Sequence, residues 1–291
     1  MSEGEPGYEK DRSRVAAAFD GAASGYDQVA VLQKRVAQDL LERLEFMKVK
    51  PSLILDLGAG TGRAARLLAR RYNPARVVQL DMAFNMLRSR RPLLHRFTRQ
   101  HRVCADAQWL PFPEACVDLV FSNLMLQWCN DPAAVFREAC RVLRPDGLLI
   151  FSTLGPDTLN ELRRSWEAVD NAVHVNAFVD MHDLGDALVH AGLAEPVMEV
   201  EPYTLTYADG FALMRDLKRL GARNANRGRP RTLTGKGRLK TMLDHYEQWR
   251  RDGLLPASYE VVYGHAWRGR GGRRLDPHTV SVPVSAVGRR S

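Results

Sequence analysis

Apolar residues in the first half of the chain fall into two alternating spacings. Leu40, Leu41 and Leu44 recur at helical spacing and close an amphipathic stretch. Residues 52–57, Ser-Leu-Ile-Leu-Asp-Leu, are instead a short and nearly continuous apolar run, the pattern of a strand covered on both faces. A glycine turn at 58–62 follows, and then a helical stretch at 63–72. The alternation repeats, with strands at 76–80, 102–105, 117–122 and 148–152. Between them lie a helix through Met86 and Leu87, another at 132–143, and the turn Arg144-Pro145-Asp146-Gly147. Strands and helices in this order predict a mostly parallel sheet with right-handed crossovers and helices on both faces. Residues 197–207 and 259–267 alternate as two more strands, an antiparallel hairpin that closes the sheet. Between these two, helical stretches at 210–220 and 236–251 form an insert. The expected organisation is a helical segment at 1–48 acting as a lid, an α/β domain at 49–209 and a helical insert at 210–258. The strand at 259–267 completes the sheet, and 268–291 has no periodicity and reads as a disordered tail.

Charge changes this picture more than composition does. With 45% hydrophobic and 26% charged residues the chain is neither disordered nor fibrous. Its net charge of +8 is local: residues 1–214 carry −4, residues 215–251 carry +9, and residues 252–291 carry +3. A near-neutral body with a basic segment inside the insert predicts an acidic partner docking there. Apolar runs such as Gly147-Leu148-Leu149-Ile150-Phe151 fall far short of the about 20 residues of a membrane helix, so no membrane span is expected. The acidic, polar start, MSEGEPGYEKD, does not read as a targeting peptide. Cys104, Cys116, Cys129 and Cys140 lack metal-binding spacing, so no metal is expected and a reduced, cytoplasmic chain fits them.

The candidate chemistry lies at strand ends. The turn Gly58-Ala59-Gly60-Thr61-Gly62 lets backbone approach a ligand closely, and alone it would serve several nucleoside cofactors. Asp56 stands immediately before it, Asp81 closes the second strand, and Asp106 closes the third. In open α/β sheets ligands bind beyond the carboxyl ends of strands, where all three carboxylates fall. Asp81 is placed to accept from two ribose hydroxyls and Asp106 from an adenine amine. With these residues, and with Trp109-Leu110-Pro111-Phe112 and the segment 141–147, the chain resembles the Rossmann-like S-adenosylmethionine-dependent methyltransferases over residues 50–155. The resemblance implies a three-layer sandwich around a seven-stranded, mostly parallel sheet with an antiparallel last strand. It also implies S-adenosyl-L-methionine as cofactor, with Asp56, Gly58 and Gly60 facing its methionine part, Asp81 its ribose, and Asp106 with Ala107 its adenine. The cofactor set expected is Tyr26, Asp56, Gly58, Ala59, Gly60, Asp81, Met82, Met86, Asp106, Ala107 and Asn123.

The substrate class comes from other segments. Nucleic-acid amino methyltransferases carry an (Asn/Asp)-Pro-Pro-aromatic stretch after the fourth strand, where this chain has Ser122-Asn123-Leu124-Met125. The basic segment therefore does not by itself argue for nucleic acid. Residues 19–27, 151–162, 181–188, 217–224 and 259–267 resemble the malonyl-acyl carrier protein O-methyltransferases of biotin synthesis, from about residue 12 to 267. That resemblance implies methylation of a malonyl carboxylate, with an acidic acyl carrier protein docking on residues 215–251. A carboxylate is ionised near neutral pH and needs no general base. Arg223 and Lys218 are the candidates to clamp it, and Tyr26 to close over the cofactor; His174, His182 and His265 are assigned no chemistry. A mitochondrial complex I assembly factor of the same fold, acting as an arginine hydroxylase, shares the C-terminal patterns. That activity and RNA methylation are the competing expectations.

Overall fold

The computed structural model describes residues 9–89, 100–229 and 235–269. Three helices lead in: α1 (Arg12–Ala22), α2 (Tyr26–Val29) and α3 (Val31–Arg43). α1 begins where the Asp11 carboxylate accepts from the Arg14 N–H, one of the donors a helix start leaves unpaired. Seven strands follow among the described residues: β1 (Leu53–Leu57), β2 (Arg76–Asp81), β3 (Gln100–Cys104), β4 (Val117–Asn123), β5 (Leu143–Leu154), β6 (Leu193–Tyr207) and β7 (Leu255–Arg268). They form one sheet in the order β3-β2-β1-β4-β5-β7-β6. β1 to β5 run parallel, and β7 is antiparallel to both β5 and β6. Chain order reverses direction between β1 and β4, which opens a crevice at their carboxyl ends.

Side chains alternate across the strands and bury two cores, one on each face. Ile54, Phe121 and Ile150 pack into the first with Leu32, Val36 and Leu40 of α3. α4 (Arg63–Arg71) adds Ala65 and Leu68 to it. The second core holds Leu55, Leu57, Val120 and Phe151, covered by Phe136 and Ala139 of α6 (Pro132–Val142) and Leu184 and Leu188 of α8 (Met181–His190). Among the described residues the remaining helices are α5 (Phe84–Arg88), α7 (Asn160–Glu167), α9 (Gly210–Arg219) and α10 (Lys236–Tyr246). The architecture is the expected α/β sandwich with its antiparallel last strand and the insert before it. No helix among the described residues is long and apolar enough to cross a membrane.

Several element bounds differ from the sequence reading. β7 starts at Leu255 rather than 259, through Pro256. Proline is tolerated because β5 pairs with β7 only from Val261 onward, so Pro256 pairs on one side alone, with Thr206. β6 starts at Leu193, its register shifting between Ala194 and Val197, where Glu195 has φ 54°. β5 likewise begins at Leu143 and includes the expected turn, and β3 begins at Gln100. The second insert helix ends at Tyr246 in a 3₁₀ turn instead of running to 251. Arg268, expected to start the tail, ends β7 because its guanidinium donates to the carbonyls of Arg141 and Leu143. The rest of the expected tail, from 270 on, lies outside the described residues.

Candidate active site

β1 delivers Asp56 and the glycine turn to the crevice, and the turn hangs on the end of β2. The N–H groups of Gly58 and Ala59 both donate to the Leu80 carbonyl, at 2.8 and 3.0 Å. Gly58 admits no side chain, since a Cβ there would stand 2.3 Å from Met125 Cγ. Gly60 differs: at φ 54° it needs glycine's left-handed freedom, and a Cβ would meet nothing within 4 Å. Its backbone therefore borders open space. Asp81 braces this turn, accepting from Gly60 N–H at 2.8 Å with one oxygen and from Ala83 N–H at 2.8 Å with the other. Burial raises its pKa from the ordinary aspartate value, opposed by these backbone hydrogen bonds. Asp56 is 1% exposed, burial pushes its pKa up to about 7, and its Oδ2 has no hydrogen-bond partner among the described residues.

Two adjoining cavities meet at Tyr26, Gly58, Gly60 and Asn123. Asp81, Met82, Met86, Asp106 and Ala107 line the first, and Asp56 and Ala59 the second. The structure thus brings together all eleven residues expected at the cofactor. S-adenosyl-L-methionine fits what they offer: an unpartnered buried acceptor at Asp56 suits an ammonium, the remaining lone pairs of Asp81 suit a ribose diol, and Gly60 leaves a cradle open. Asp106 has a partner the sequence did not suggest, the guanidinium of Arg12, which also lies over the Trp109 ring at 5.0 Å. Burial and the charges of Asp81 and Asp27 raise the Tyr26 hydroxyl pKa, keeping it protonated.

A third cavity, mostly apolar, shares the walls Phe19, Tyr26, Leu124 and Trp128 with the first of these two. Phe19 meets Trp128 edge-on at 5.1 Å. Leu159, Leu162, Val175, Leu205 and Leu217 supply apolar wall, with Gln33, Gln127, His174, Asn176, Asp216 and Asn224 as polar members. Lys218 and Arg223 are exposed and are not part of this wall, although Leu217 and Ala222 beside them are. The N-terminal strap closes over the insert: Asp11 N–H donates to the Ala225 carbonyl at 2.9 Å and Arg227 N–H to the Glu9 carbonyl at 2.7 Å. Sequence reasoning did not place Phe19 or Trp128 at the site and gave His174 no chemistry; their placement depends on contacts between distant segments.

Residues 55–151 match the family model described as a methyltransferase domain. The chain is 51% identical over 264 residues to the malonyl-acyl carrier protein O-methyltransferase of Methylovorus sp. (strain MP688), covering 89% of both chains. It is 48% identical to the same-named protein of Halorhodospira halophila, covering 96% of both, and 40% identical to one from Coxiella burnetii, covering 98% of both. Among solved structures, the Bacillus subtilis YcgJ protein superposes with a TM-score of 0.57 at 14% identity, covering 80% of this chain and 99% of that one. That likeness concerns the fold. The extent of the identity to the curated relatives assigns more: this chain belongs to the malonyl-acyl carrier protein O-methyltransferase family.

Proposed function

We propose that this chain transfers a methyl group from S-adenosyl-L-methionine to the free carboxylate of a malonyl group borne on acyl carrier protein, an early step of biotin synthesis. The observation that carries the reading is the apolar cavity abutting the cofactor cavities at Phe19, Tyr26, Leu124 and Trp128, in a chain half identical to enzymes of that name. The relatives' names do not favour the assembly-factor, hydroxylase or RNA-methylating alternatives.

When bound, the cofactor supplies an electrophilic methyl on a positively charged sulfur and leaves as S-adenosylhomocysteine. Asp56, Asp81 and the glycine turn hold it from the sheet side, and Tyr26 with Phe19 covers it from the lid. A malonyl carboxylate is already an anion, so the chain has to orient it and keep water away rather than remove a proton. Water exclusion strengthens the attraction between carboxylate and sulfonium, and fixing the two reactants supplies on the order of 7–11 kcal/mol. The exposed cations of α9, Arg215, Lys218 and Arg219, flank Leu217 and Asp216 of the cavity wall. An acidic carrier docked on them delivers its arm to the cavity. This placement supports a docking role for Lys218 and Arg223 over a clamp inside the cavity. Four unpaired cysteines suit the reducing cytoplasm where we place this chemistry.

The test is transfer of labelled methyl from S-adenosyl-L-methionine to malonyl carrier protein, with acetyl and unacylated carriers beside it. The expected result is an alkali-labile ester on the malonyl carrier alone. Absence of that ester, or label on protein arginine or RNA, would overturn the reading.

A further inference from the structure

Recognising a malonyl group means recognising its carboxylate, because the rest of the group is shared with acetyl thioesters. A carboxylate leaving water for an apolar cavity requires a charged or strongly polar donor. Among the described residues lining the cavity, His174 is the one whose side chain can carry a positive charge. Its ring is fixed on two sides. It stacks on Trp166 with centroids 3.8 Å apart and planes inclined by 6°, and its Nε2 bonds Asp170 Oδ1 at 2.8 Å. Asp170 is itself held, with the Arg238 guanidinium 2.6 Å from Oδ2 and the Ala172 N–H donating to Oδ1 at 2.9 Å. Burial works to raise the Asp170 carboxyl, but these partners outweigh it and hold it below the ordinary range. The other titratable groups in the cavity wall are Asp216, Tyr259 and Tyr26, none of them cationic.

We propose that His174, as an imidazolium oriented by Asp170 and Trp166, donates its Nδ1–H to the malonyl carboxylate and thereby selects malonyl over acetyl thioesters. The inference rests on the proposed carboxyl methylation. Nε2–H then points to Asp170 and Nδ1–H is left for substrate, since both ring nitrogens of an imidazolium donate. One carboxylate oxygen is held and the other stays free to accept the methyl. Methylation removes the negative charge, so the same contact weakens once the ester has formed, which favours its release. Asp170 acts through the ring and is a positioning residue; Arg238 anchors it from α10.

The test compares kcat/KM for methyl transfer to malonyl carrier with binding of malonyl and acetyl carriers by calorimetry, in the wild type, His174→Gln and His174→Phe. His174→Phe preserves an aromatic ring for Trp166 while removing both nitrogens. The expected result is a tenfold or greater loss of the malonyl-over-acetyl preference in both variants, mostly as weaker malonyl binding, with S-adenosyl-L-methionine affinity within twofold of wild type. Should either replacement abolish cofactor binding, Asp170→Asn is read instead, and a fall in preference without loss of cofactor affinity supports the assignment. An undiminished preference in a variant that binds cofactor normally overturns it. A wild type that methylates no malonyl carrier overturns the underlying function and this inference with it.

Discussion

Asp56 is buried where an anion is costly, and its Oδ2 has no hydrogen-bond partner among the described residues. Burial brings its pKa to about 7, with the nearby Asp81 adding to the rise and the Ala65 N–H and Arg66 opposing it. The folded chain therefore holds this proton more tightly than the unfolded chain, whose aspartates titrate near about 4. It follows that Asp56 lowers folding stability as pH rises from about 4 to about 7, with no further change above. At the proposed site cofactor binding should have the opposite sign, because an ammonium placed opposite Asp56 would favour the ionised carboxylate. Affinity should rise with pH up to about 7, by at most about tenfold per unit, with a proton released on binding. Calorimetry across pH 5.5–8.5, in buffers of different ionisation enthalpy, reads both quantities. Asp56→Asn should bind weakly at every pH and release no proton; proton release retained in that variant would assign the titration to another group.

The N-terminal helices and the segment after α9 lie far apart in sequence yet are joined by hydrogen bonds. Glu9 and Asp11 pair by backbone with Arg227 and Ala225, and Lys10 pairs by backbone with the Asn130 amide side chain. Gly221, which ends α9 at φ 74°, lies so close to α1 that a Cβ would stand 2.9 Å from the Ala18 carbonyl oxygen. Gly221→Ala combines left-handed strain with a backbone clash and should cost more than about 1 kcal/mol, seen as a fall of roughly 2–4 °C or more in Tm. Because Phe19 follows Ala18 and walls both cavities, KM for cofactor and for malonyl carrier should rise together. A variant with wild-type Tm and unchanged KM values would mean that α1 and the insert move independently. None of this coupling was legible in the sequence, because residues 9–11 and 225–227 carry no pattern that points to one another. By contrast β1, the glycine turn and Asp56, Asp81 and Asp106 were legible, since strand periodicity and turn chemistry are local. The start of β7 was hidden by Pro256, tolerable only because β5 stops pairing short of it. His174 was hidden because its meaning lies in Trp166, Asp170 and Arg238 converging from α7, the following loop and α10.

At the scale of the whole molecule, the excess positive charge of residues 215–251 is partly neutralised at home. Arg238 faces Asp170, Arg250 faces Glu247 and Arg227 faces Glu9. Arg215, Lys218, Arg219 and Arg223 are exposed and form no ion pair among the described residues, which leaves a cationic rim beside the cavity. If the carrier docks there, as proposed, such a rim should raise its encounter rate by roughly 10–10³-fold at low salt, with a reach of about 8 Å at physiological ionic strength. Steering acts before the chemical step. Accordingly kcat/KM for malonyl carrier protein should fall steeply between low salt and about 0.2 M, while kcat changes less than about twofold. Replacing Arg215, Lys218 and Arg219 together by Gln should flatten that slope and leave kcat near the wild-type value. Malonyl-coenzyme A presents no protein surface, so its kcat/KM should respond far less to the triple replacement. That comparison separates the two roles open to Lys218. A loss confined to the carrier protein assigns it to docking, an equal loss with coenzyme A would return it to the carboxylate, and an unchanged salt slope would move the carrier to another face.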